Sequence, residues 1–142
     1  MFITKECDYA IRIIRALADG SRKTVKKISQ EEHMPEKFVH NITTKLERAQ
    51  FIQSFSGRGG GVRLRRPLNE FSLIDVVLAI DENRRIGDCL GENTKCAYVD
   101  ATQKPCTVHV ELERIQNVLI ETMRAKTMDM VLFGEEAEPQ AI

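Results

Sequence analysis

Residues 24–50 read TVKKISQEEHMPEKFVHNITTKLERAQ. Thr24 can cap a helix from Val25 to about Glu32, because its hydroxyl accepts a bond from a backbone N–H that the first turn leaves unpaired. His33 and Met34 make a turn. Pro35 can open the next helix at the position where its missing N–H costs nothing, and Glu36 suits the positive end of that helix. From 35 to about 50, Val39, Ile42, Leu46 and Ala49 form a buried stripe at helical spacing. Lys37, His40, Asn41, Thr44, Lys45 and Arg48 form the other face. A short helix, a tight turn and a second helix make the pattern of a helix-turn-helix, whose second helix enters a major groove. Lys and Arg can neutralise phosphates, Asn can pair two bonds with adenine, and Thr can meet a thymine methyl. A merely solvated helix face is the commoner fate of such residues; the motif around them favours the binding reading.

The next stretch, residues 51–67, reads FIQSFSGRGGGVRLRRP. Ile52 and Phe55 interrupt polar positions. Val62 and Leu64 alternate with Arg63 and Arg65, which is strand periodicity. Two short strands around a glycine-rich turn predict a β-hairpin. After a helix-turn-helix, that hairpin is a wing, with Arg58, Gly59 and Gly60 at its tip and Arg63 and Arg65 on one side, set to meet phosphates or a minor groove. A nucleotide phosphate loop is excluded, because no GxxxxGK[ST] is present and no helix follows at once. The expected DNA surface is therefore Lys37, His40, Asn41, Thr44, Arg58, Gly59, Gly60, Arg63 and Arg65.

Upstream, residues 5–18 predict a helix with Ala10, Ile13, Ile14 and Leu17 on one face and Arg12 and Arg15 on another. Asp19, Gly20 and Ser21 end it, glycine being suited to a left-handed cap. Downstream, Ser72 starts a helix, with Asp75 completing a capping box. Leu73, Val76, Val77 and Ile80 are its predicted buried stripe.

Residues 89–109, CLGENTKCAYVDATQKPCTVH, hold three of the four cysteines and one of the three histidines. Thiolates in a polar loop are ligands for a metal or an iron–sulfur cluster. With Pro105 at the first position of a helix, Cys106 and His109 share one face of its first turn, where the helix dipole favours a thiolate. The gaps Cys89-x6-Cys96 and Cys96-x9-Cys106 are wider than the CxxC pairs of zinc ribbons, which favours iron–sulfur over zinc. Redox-sensitive or incidental thiols are the other reading. Cys7 reads as a core or interface thiol, His33 and His40 as surface residues.

From about Pro105 to Lys126 or beyond, a long helix carries Val108, Leu112, Ile115, Leu119 and Met123 as an apolar seam. A second copy of the chain is the favoured cover, since readers of this type use two half-sites. Residues 134–142 are acidic and read as a frayed tail. The division is then 1–82 winged helix-turn-helix, 83–107 cysteine loop, 108–132 dimerisation helix and 133–142 tail. The fold is mainly α with one small β-hairpin.

The zero net charge over 142 residues hides an asymmetry. Residues 1–70 carry 14 Lys+Arg against 8 Asp+Glu, and residues 71–142 carry 7 against 13, so +6 faces −6. One half suits a polyanion and the other does something else. No apolar run of about 18 residues suggests a membrane span, and the charged start predicts no signal peptide. A cytoplasmic chain with reduced thiols is expected. No nucleophile–base pair or organised carboxylate pair points to an enzyme. A zinc-dependent protein-interaction module and a small electron carrier are competing readings. A basic wing argues against the carrier.

The chain resembles the Rrf2 family of bacterial winged-helix regulators, over nearly its whole length. The likeness lies in Ile3-Thr4-Lys5 with Asp8-Tyr9-Ala10, in the wing 57–64, in Asp75-Val76-Val77, and in three cysteines before a long helix. The resemblance implies a dimeric cytoplasmic transcription regulator whose operator binding responds to an iron–sulfur cluster on Cys89, Cys96 and Cys106. His109 stands where IscR-like members place a fourth ligand on a 2Fe–2S cluster, which is the favoured assignment. Asp8 stands where NsrR-like nitric-oxide sensors place a partner-subunit aspartate on a 4Fe–4S cluster. A cluster-free thiol redox sensor is the variant reading.

Overall fold

The computed structural model describes residues 2–134. Helix α1 spans Lys5–Ala16, α2 Val25–Glu32 and α3 Glu36–Arg48. Thr4 caps α1 by accepting from the Cys7 N–H at 3.3 Å, and Thr24 caps α2 by accepting from the Lys27 N–H at 3.1 Å. His33, in the left-handed region at φ 52°, closes α2 and makes the turn into α3. Pro35 is the residue before α3 rather than its first, and the helix ends at Arg48, short of the expected 50. Helix α1 likewise ends before the expected 18; Gly20, at φ 77°, turns the chain away.

Apolar residues of the three helices meet in one core. Ile13, Ile14, Leu17, Ile28, Val39, Ile42 and Leu46 are wholly buried, each worth about 1.5–3 kcal/mol against exposure. Phe51 and Phe71 close the core edge to face, with centroids 4.8 Å apart. Arg15 and Arg12 of α1 hold the buried Glu32 at the end of α2.

Strands β1 (Ile52–Phe55) and β2 (Gly61–Leu64) form an antiparallel hairpin, with Ile52 opposite Leu64 and Phe55 opposite Gly61. Lys23 adds an isolated antiparallel bridge to β2: its N–H donates to the Val62 carbonyl at 2.9 Å, and the Val62 N–H donates to the Lys23 carbonyl at 2.8 Å. This bridge ties the wing to the loop between α1 and α2.

Helix α4 spans Leu73–Ile80. Its capping box is present: the Ser72 N–H and hydroxyl both donate to Asp75 Oδ2 at 2.8 Å. Leu73 is half-buried and packs against the core, and Ile74, outside the expected stripe, is wholly buried. The reason is that α4 is flanked by α1 and α3 on one side and the long helix on the other, so its buried face is wider than one stripe. Arg84, itself buried, donates to the Val77 carbonyl at the end of α4, and burial lowers its pKa.

The loop beyond contains an unexpected short helix, α5 (Ala97–Thr102), closed by Gln103 in the left-handed region. The long helix α6 runs Thr107–Arg124, and a last helix α7 runs Met128–Phe133. Cys106 is the N-cap of α6 and Pro105 precedes the helix, so the proline does not open it as expected. Helix α7 returns to the head: the Met128 N–H donates to the Phe71 carbonyl at 2.8 Å, and the Met128 side chain is wholly buried. Residues 135–142, most of the expected tail, lie outside the described residues. Among the described residues, no helix is long and apolar enough to cross a membrane.

Candidate DNA interface and thiol cleft

Helix α3 places Lys37, His40, Asn41 and Thr44 at the surface. The Thr44 hydroxyl donates back to the His40 carbonyl at 3.0 Å, which fixes its rotamer. Lys45 departs from the expected open cationic face. It is half-buried and its ammonium binds Glu6 at 2.8 Å. In the wing, Arg58, Gly59, Arg63 and Arg65 are exposed and Gly60 is half-buried. A cleft between α3 and the wing is lined by His40, Thr44, Phe55 and Gly61. Arg65 instead lines a separate hollow with Ala18, Gly20 and Asp129. His40 and Thr44 thus line one cleft with the wing residues Phe55 and Gly61, while Arg65, one residue beyond β2, lines another.

Two residues passed over in the sequence shape this surface. Arg22 stacks on Phe55, its guanidinium carbon 3.6 Å from the ring centroid. Glu47 accepts from the Ser54 N–H at 3.0 Å and the Ser54 hydroxyl at 2.8 Å. An aromatic residue on the polar side of a hairpin was the available signal for the first. Nothing local marks the second, because Glu47 reads as one more solvated charge on α3.

The second site is an open cleft of about 440 Å³, lined by Cys89, Cys96, Cys106 and His109, with Lys95 and Asp100 beside them. Each thiol sits at a break in the chain. Cys89 lies in the 3-10 turn Asp88–Leu90, Cys96 is the N-cap of α5, and Cys106 is the N-cap of α6. All three are free and half-buried. The loop is fixed to α6 by the Ile86 N–H, which donates to Gln116 Oε1 at 3.1 Å. Gly87 brings it close: a Cβ there would lie 3.4 Å from Leu112 and 3.8 Å from Cys89 Sγ.

Three soft thiols with one imidazole suit an iron–sulfur cluster or zinc by donor chemistry. Their present spacing is looser: among the described residues, no three His, Cys, Asp or Glu side chains stand together at metal-holding distance. Asp8 does not line this cleft; it is exposed on α1 and pairs with Arg12 at 3.5 Å.

A helix-turn-helix followed by a paired hairpin defines a winged-helix DNA-binding regulator. A family profile described as an iron-dependent transcriptional regulator, Rrf2, matches residues 3–133. The chain belongs to the Rrf2 family of transcriptional regulators and is not an enzyme. It is 31% identical to Protein aau3 of Rhizobium meliloti, over 99% of this chain and 88% of that one. It is 25% identical to the HTH-type transcriptional regulator NsrR of Geobacillus kaustophilus, over 84% of each. Among solved structures it is similar to oxidized Staphylococcus aureus CymR, with a TM-score of 0.72 and 18% identity over 97% of this chain and 99% of that one. T. potens IscR matches with a TM-score of 0.71 and 17% identity over 96% and 90%.

Proposed function

We propose that operator binding by this regulator is controlled by an iron–sulfur cluster held by Cys89, Cys96, Cys106 and His109. The carrying observation is that three thiols and one imidazole line a single cleft at the start of α6. When bound, the cluster supplies a reversible, oxidant-sensitive cross-link among three chain breaks. The work of this chain is then mechanical. Cys106 is the N-cap of α6 and His109 lies in its first turn, so drawing them toward Cys89 and Cys96 moves the end of that helix. A 2Fe–2S cluster on His109 is the favoured form. A 4Fe–4S cluster with Asp8 from a second copy is the alternative.

Helix α6 supports a homodimer. Leu112, Leu119 and Met123 of its seam are half-buried against their own chain, while Val108, Ile115 and neighbouring Val118 are exposed. A second copy covering these residues would set two heads on half-sites about 34 Å, or a multiple, apart. In each head Lys37, His40, Asn41 and Thr44 read the groove, and Arg58, Gly59, Gly60, Arg63 and Arg65 serve the backbone. Reduced thiols of this kind belong in the cytoplasm.

A cluster-free thiol sensor is the second reading. It is favoured by the free thiols and their spacing wider than a metal site needs. One sample separates the two. Protein purified without oxygen should be brown, with matched iron and acid-labile sulfide per chain, and Cys106→Ala should be colourless. A colourless wild type after anaerobic reconstitution, with DNA binding that follows thiol oxidation, would leave the thiol reading standing.

A further inference from the structure

Arg22 lies between α1 and α2, outside both the recognition helix and the hairpin. Its guanidinium stacks on the Phe55 ring at 3.6 Å, within cation–π range, and its Nη1 donates to the Gly59 carbonyl at 2.7 Å. Gly59 is at the hairpin tip, beyond the last paired rung of Phe55 with Gly61. The next residue, Lys23, grips the middle of the wing through Val62, and its ammonium is locked by Glu31 at 2.8 Å and Asp19 at 3.6 Å. Two consecutive residues therefore hold the wing at two heights. A hairpin of two four-residue strands is marginal alone, so its tip needs such a hold. Arg63 also approaches the Phe55 ring, at 5.2 Å. One ring thus links Arg22 to an arginine of the expected DNA surface.

We propose that Arg22 is a wing-positioning residue: through Phe55 and Gly59 it sets where Arg58 and Arg63 stand relative to α3, and it does not itself bind phosphate. This rests on the DNA face proposed above. The test has one arm without DNA and one with it. In the full-length free protein, hydrogen–deuterium exchange of amides 57–63 should quicken at least tenfold in both Arg22→Ala and Phe55→Leu, with α1–α3 unchanged. Unchanged wing exchange in either variant overturns the proposal whatever the DNA result. The second arm uses a duplex selected by the wild type from a randomised pool. Each variant should bind about 5- to 30-fold more weakly, and the double variant no worse than the weaker single, because they break one clamp. The slope of log affinity against log salt should stay the same. Additive losses, with a slope shallower by about one in Arg22→Ala alone, would mean a direct phosphate contact. Unchanged affinity despite faster exchange would equally overturn it. If the wild type selects no duplex, the DNA-face reading fails, while the exchange arm still decides whether the clamp exists.

Discussion

Glu32 of α2 is gripped at both carboxylate oxygens by Arg15 of α1, through Nε to Oε1 at 3.1 Å and through Nη2 to Oε2. Burial pushes the Glu32 carboxyl up, but the hydrogen bonds and charges of Arg15 and Arg12 outweigh it, so its pKa lies below the ordinary 4.5. The stabilisation is therefore present above the ordinary value and is lost as pH falls through the lower folded value. Glu32→Gln should reduce stability at pH 7 by about 1–3 kcal/mol. It should also flatten the loss of stability as pH falls below the ordinary 4.5. Urea midpoints measured across that range check both; a variant that loses stability in acid as steeply as the wild type would refute the linkage.

Gly61 has no substitute. Its φ is +130°, and a Cβ would stand 2.4 Å from the Lys23 carbonyl oxygen. Gly61→Ala should cost about 1–3 kcal/mol through backbone strain and break the Lys23–Val62 bridge. Gly59→Ala meets no neighbour and should be milder. Thermal melts of the two variants give the comparison.

Asn41 and Arg63 should fail in different ways. Asn41→Ala should lose about 1–3 kcal/mol on the preferred duplex and little on random DNA. Arg63→Ala should weaken both alike and lower the salt slope by about one. Filter binding at several salt concentrations reads the difference. Equal effects of both changes on both DNAs would remove the base-reading role from Asn41.

Much of the head was legible because each signal is local. Thr24, His33 and the α3 stripe are set by capping chemistry and helical period, and the wing by alternation around glycines. Thr43 was not legible in the stripe: its hydroxyl donates to the His40 carbonyl at 2.9 Å, which lets a polar side chain be buried. Helix α5 was missed because its six residues, AYVDAT, are too few to display a helical period. The start of α6 was misplaced because proline suits several positions near a helix N-terminus, and only the fold chooses among them. The thiol cleft was legible as a set of donors, but their spacing depends on loop backbone that no short-range rule fixes.

The exposed side of α6 gives a direct assay. Ile115→Glu with Val118→Glu should convert a dimer to a monomer in light scattering without altering the melting of the head. A dimer that survives the pair places the contact elsewhere.

Ligand assignment rests on spectra rather than on binding. With a cluster present, His109→Ala should shift the visible bands and Asp8→Ala should leave them unchanged. The reverse pattern would assign the fourth position to a residue from α1 and favour the larger cluster.

Met128 fills the head from a point 48 residues beyond the end of α4. A nascent chain cut anywhere before it would expose an apolar hole beside Phe71, so the head is not modular. It cannot be lifted out at the end of α4 and grafted onto another sensor without carrying α6 and α7 along. The DNA reader and the helix that leads from the thiols therefore share one core, and removing α6 and α7 takes a buried side chain out of the head.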